Sequence, residues 1–99
     1  MRFRFHTDKL RQLYTEEQGG RKYPPGVVDA FFEVMAIIEA APDERELYRH
    51  RSLKFEQLKG DHRGQYSLRL NKQYRLILTI EDDDGRYLLI QAINPHYYK

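Results

Sequence analysis

At 99 residues, with Cys 0 and a formal net charge of +2, the chain is sized for one domain spanning residues 1–99 with one modest core, burying about 65% of its unfolded surface. The lack of cysteine excludes disulfides, thiolate metal sites and cysteine nucleophiles together. Charges in Met1-Arg2-Phe3-Arg4-Phe5-His6 interrupt the apolar run a signal peptide needs, and no apolar stretch approaches the roughly 20 residues of a membrane helix. The expectation is a cytoplasmic protein with no membrane partner.

In chain order, Arg2 to His6 alternate cations with Phe3 and Phe5, which predicts a short strand whose charged face guards a sheet edge. Thr7 is a candidate N-cap. Leu10, Leu13 and Tyr14 fall at i, i+3 and i+4 and predict an amphipathic helix to about Glu17. Gln18 to Lys22, with Gly19-Gly20, reads as a linker. Tyr23-Pro24-Pro25-Gly26 stops one helix and starts the next. Val27, Phe31, Val34, Ile38 and Ala41 then give a stripe that predicts a long helix over roughly 26–41, the main cover of a sheet. Asp43, with Glu46 three residues on, matches a capping box for a short third helix contributing Leu47 and Tyr48.

After His50 the period changes to two. Leu53, Phe55 and Leu58 point inward. Tyr66, Leu68 and Leu70 form one face of a strand, and Tyr74, Leu76, Leu78 and Ile80 continue it after a turn at Asn71-Lys72, where Asn tolerates positive φ. Gln73, Arg75, Ile77 and Thr79 oppose that face. Glu81 to Gly85 turns the chain into a last strand, Tyr87 to Ile93, apolar on both faces and therefore central or covered. A strand, two or three helices and a meander make an α+β domain.

Charge is unevenly placed. Residues 1–49 hold eight Lys/Arg against nine Asp/Glu, residues 50–76 seven against two, and residues 77–99 two against four. A basic centre between neutral or acidic flanks suits a polyanion, most often nucleic acid. Lys54, Arg63 and Lys72 belong to it as candidate RNA contacts.

His6, His50, His62 and His96 are too scattered for a zinc site, Ser52 and Ser67 stand in no Gly-x-Ser-x-Gly elbow, and no cofactor motif is present. The parts for metal-free RNA cleavage are there. That reaction needs a base for the 2′-hydroxyl, an acid for the leaving 5′-oxygen, and fixed cations for the phosphorane. Glu56 or His96 is the candidate base and His96 or Tyr97 the candidate acid. Lys59, Arg69 and Arg75 are candidate phosphate holders, arginine meeting phosphate bidentately. A simple RNA-binding surface fits the same composition.

The run Lys54-Phe55-Glu56-Gln57-Leu58-Lys59-Gly60-Asp61-His62-Arg63-Gly64-Gln65-Tyr66-Ser67-Leu68-Arg69-Leu70-Asn71-Lys72-Gln73-Tyr74-Arg75-Leu76 closely resembles the signature of the plasmid-maintenance killer toxins, the HigB-type branch of the RelE/ParE superfamily. Shared features are the Leu-Lys-Gly-Asp turn, the Gly-Gln-aromatic-Ser-x-Arg strand, the Asn-x-Gln turn and the aromatic-Arg pair.

The resemblance implies a type II toxin with a RelE-like fold: a small antiparallel sheet of three to four strands with two to three helices packed on one face. It implies a ribosome-dependent, metal-independent mRNA endoribonuclease that inhibits translation. The implied partners are the ribosome and mRNA, a HigA-type helix-turn-helix antitoxin, and operator DNA through the antitoxin complex. Family site residues map onto Lys59, Arg69 and Arg75, and the position of Glu56 is His in some relatives and Glu in others. Many relatives end Asp-Tyr-His. Here an ungapped comparison places Pro95, His96 and Tyr97 there, and a one-residue shift places Asn94 opposite the Asp and His96 opposite the His. The Asp is absent in both. Alternatives within the resemblance are a ParE-like gyrase inhibitor and a catalytically weak homologue acting as an antitoxin-dependent corepressor.

Overall fold

The period-two segment folds as a meander, and the helices that precede it cover one of its faces. The computed structural model describes residues 1–62 and 64–95. Among these the elements are β1 (Phe3–Phe5), α1 (Asp8–Glu16), α2 (Val27–Ala40), α3 (Arg45–Arg49), β2 (Glu56–Gln57), β3 (Gln65–Arg69), β4 (Tyr74–Asp82) and β5 (Arg86–Pro95), with single 3₁₀ turns at Gly20–Lys22, Arg51–Leu53 and Gly60–His62.

The sheet order is β1-β5-β4-β3-β2. The described sheet therefore has five strands, where three to four were expected. The member beyond that count is β2, two residues long, whereas β1 is the expected edge strand and pairs parallel to β5 while every other pair is antiparallel. The α+β class with helices on one face holds.

Thr7 caps α1 as its sequence suggests, its Oγ1 accepting from the Leu10 N–H at 3.3 Å. Gly26, at φ 91, makes the turn into α2 that a β-carbon would strain. Val27, Phe31, Val34, Met35 and Ile38 of α2 are buried against Leu68, Leu76, Leu78, Leu88 and Ile90 of the sheet. Each such side chain contributes about 1.5–3 kcal/mol by leaving water. The start of α3 differs from a capping box. Asp43 Oδ1 accepts from the Arg45 N–H at 2.9 Å, a two-residue Asx turn, and Glu46 pairs with Arg49 and His50 instead of reaching back. Leu47 is buried as expected, whereas Tyr48 is exposed, its ring edge packing on Phe55.

The turn after β3 works through hydrogen bonds, not positive φ. Asn71 Oδ1 accepts from the N–H groups of Gln73 at 2.8 Å and Tyr74 at 2.7 Å, and Asn71 is not among the positive-φ residues. In the β4–β5 ladder Ile77 faces Ala92 but Leu78 faces Ile90, so Gln91 is an extra residue, a β-bulge. Among the described residues no helix is long and apolar enough to cross a membrane.

Candidate active site on the open face of the sheet

Residues directly opposite in a sheet share a face. The face away from the helices therefore carries two neighbouring rows: Glu56–Ser67–Ile77–Ala92, and Arg69–Arg75–Asn94. Ser67 at 3% exposure, Arg75 at 8% and Ile77 at 6% are buried there, although none belongs to the helix-side core. The cover is local. The segment that leaves β2 stands over this face, and Leu58, Lys59 and His62 together with Arg75, Ile77 and Asn94 bound a groove of about 660 Å³.

Arg75 is the groove's buried cation. Its Nη1 donates to Ser67 Oγ at 3.2 Å. Burial pushes its guanidinium down from the ordinary value, and the Glu56 carboxylate on the outer strand pulls it back up. The group stays charged, since an arginine is effectively always protonated. Arg69 lies directly across the strand pair from Arg75, its Nε donating to the Asn71 carbonyl at 3.4 Å. Two like charges placed opposite each other destabilise a strand pair.

A family model described as the RelE-like toxin of type II toxin-antitoxin system HigB matches residues 3–96. The chain belongs to the HigB-like toxin family. Toxin HigB-1 of Vibrio cholerae serotype O1 is 34% identical over 98 residues, covering 99% of this chain and 100% of that protein. The fold recurs in solved structures of low identity. The YoeB-YefM complex from Staphylococcus aureus has a TM-score of 0.60 at 23% identity, covering 98% of each chain. YafQ from E. coli has a TM-score of 0.60 at 10% identity, covering 97% of this chain and 94% of the other.

In this HigB-like toxin the expected site residues separate. Lys59 and Arg75 line the groove. Arg69 and Glu56 lie beside it on the same face, next to Arg75 and Ser67 respectively. Lys54, exposed at φ 46 before β2, and Lys72, exposed in the β3–β4 turn, do not line it. Arg63, His96 and Tyr97 lie outside the described residues. The groove also contains residues that the sequence did not single out as site members: His62, Gln65 and Gln91. Ser67 enters as the partner of Arg75 and not as a nucleophile. A Ser and an Arg on alternating strands of one hairpin was the available signal, readable once the register is known.

Proposed function

We propose that this HigB-like toxin is a ribosome-dependent mRNA endoribonuclease that needs no metal. The observation that carries the reading is the Arg75 guanidinium, shielded from water, pinned by Ser67 and opening into a groove that Lys59 also lines. A fixed, desolvated cation suits a phosphorane better than a solvated one, because its field is stronger and needs no reorganisation. The family match supports the substrate class.

In the proposed reaction a base takes the proton of a 2′-hydroxyl, and the oxygen attacks the adjacent phosphorus in line. The P–O5′ bond breaks, and an acid protonates the leaving 5′-oxygen. The products are a 2′,3′-cyclic phosphate and a 5′-hydroxyl. Arg75 and Lys59 hold the non-bridging oxygens, and Arg69 adds charge from the next strand. Glu56, or His96 beyond the described residues, is the proposed base. His96 or Tyr97 is the proposed acid. His62 is a further candidate for proton transfer, being an imidazole at the groove. The bulge at Gln91 sets Asn94 directly opposite Arg75. An amide there can orient RNA but cannot act as base.

The proposed partners are a HigA-type antitoxin and, through it, operator DNA. Several solved relatives of the same fold are toxin–antitoxin complexes. The test is purified toxin on mRNA with and without translating ribosomes. Cuts within the translated frame only when ribosomes are present are expected. Folded toxin that cuts in neither condition contradicts the reading.

A further inference from the structure

We propose that Gln91 reads the base of the nucleotide whose phosphate Arg75 holds, and that Thr79 and Glu81 fix Gln91 so that it selects a base with an exocyclic amine. The inference rests on the RNA-cleavage reading. It starts from the bulge. A bulge breaks the alternation of a strand and re-aims the extra side chain, and the extra residue here, Gln91, lines the groove beside Ile77 and Ala92.

The Gln91 amide is oriented by a directional chain of hydrogen bonds. The Thr79 hydroxyl donates to Glu81 Oε2 at 2.7 Å, and Gln91 Nε2 donates to Thr79 Oγ1 at 3.4 Å. An ionised carboxylate only accepts, so the single hydroxyl proton of Thr79 goes to Glu81. Toward Gln91, Thr79 then offers only a lone pair. The amide must turn one N–H of its nitrogen to Thr79, which fixes its oxygen at the opposite corner as its acceptor for a ligand, the second N–H staying on the nitrogen side. An acceptor at that point matches the amines N6 of adenine and N4 of cytosine. It opposes O6 of guanine and O4 of uracil, which occupy the same corner of the base.

The surroundings suit a nucleotide. Ile77 and Ala92 supply an apolar floor for the face of a base. Ile77 is two residues along β4 from Arg75, about 7 Å at strand rise, so phosphate and base fall on successive rows of one face. Glu81 touches neither in this scheme. It acts through Thr79 and Gln91 as a positioning residue.

The experiment maps cut sites by sequencing mRNA 5′ ends after treatment of translating ribosomes with wild type, Glu81→Gln, Thr79→Val and Thr79→Ser. The readout is the ratio of A or C to G or U at the cut nucleotide, normalised to total cuts. An amide at position 81 can itself donate to Thr79, which frees the Thr79 hydroxyl to turn to Gln91 and removes the fixed orientation. Valine removes the link altogether, and serine keeps it. The expected result is an A/C preference in wild type and Thr79→Ser. It falls at least about fivefold in Glu81→Gln and Thr79→Val, the scale of one lost base contact. An unchanged ratio in both altered variants, or no base preference in wild type, overturns the assignment while leaving cleavage intact. Wild type that makes no cuts overturns the cleavage reading itself, and this assignment with it.

Discussion

Arg75 Nη1 donates to Ser67 Oγ at 3.2 Å across the β3–β4 pair, with both residues nearly sealed from water. The contact joins the signature's serine to the arginine of its aromatic-Arg pair and holds the guanidinium where the groove opens. Ser67→Ala removes an acceptor from a buried cation. A stability loss of about 1–3 kcal/mol is expected, read by urea denaturation, together with weaker cleavage. Ser67→Thr keeps the hydroxyl and recovers most of both.

The basic residues of the centre separate by position. Lys59 lines the groove, whereas Lys72 sits on the exposed turn between β3 and β4. Lys59→Ala is expected to lower kcat/KM about tenfold or more, as loss of a cation facing developing charge does. Lys72→Ala is expected to leave kcat nearly unchanged, to weaken RNA binding chiefly at low salt and so to flatten its salt dependence. Equal losses for the two substitutions at all salt concentrations contradict the placement.

Asn71 bridges to two N–H groups and thereby shapes the turn that sets Arg69 opposite Arg75. Asn71→Ala leaves both donors without that acceptor, and a cost of about 1–2 kcal/mol is expected. Asn71→Asp retains the acceptor and restores stability. Thermal melts of the three proteins check this, and a melt of Asn71→Ala superimposed on wild type contradicts it.

How much of this was legible in the sequence varies by element. The long stripe of α2 and the alternation of β3 and β4 were legible because each spans enough residues to fix its period and face. The same alternation put Arg75, Ile77 and Thr79 on the face opposite the core, where they are found. Three residues of β1 alternate too, but nothing in Phe3-Arg4-Phe5 says that its neighbour is β5 or that the pair is parallel. Two residues of β2 carry no period at all. The burial of Arg75 was hidden, because the segment that covers it is adjacent only in space. The bulge was hidden as well. Apart from Gln91 itself, Tyr87 to Ile93 is apolar on both faces, so the alternation does not reveal a one-residue slip, and the role of Gln91 depends on that slip.

Asp43 gives a pH signature to the start of α3. Its carboxylate accepts from the Arg45 side chain at 2.7 Å and from the Arg45 backbone at 2.9 Å, and these hydrogen bonds lower its pKa to about 2. A carboxyl depressed in the folded state binds protons more readily when unfolded. Its contribution is therefore present above the unfolded value of about 4 and is lost as pH falls through about 2. Asp43→Asn keeps an acceptor but cannot titrate. The Tm difference between wild type and Asp43→Asn should shrink as pH falls through that window. A difference independent of pH contradicts it.

Cleavage of mRNA in the groove around Arg75 is read by primer extension on an mRNA under translation, with wild type, Arg75→Ala and Arg75→Lys confirmed as folded by circular dichroism. Wild type should produce cuts. Arg75→Ala should reduce them at least about tenfold. Arg75→Lys should fall well below wild type too, because one ammonium cannot both donate to Ser67 and meet phosphate with a planar fork. Wild-type cutting by a folded Arg75→Ala variant would place the chemistry elsewhere on the molecule.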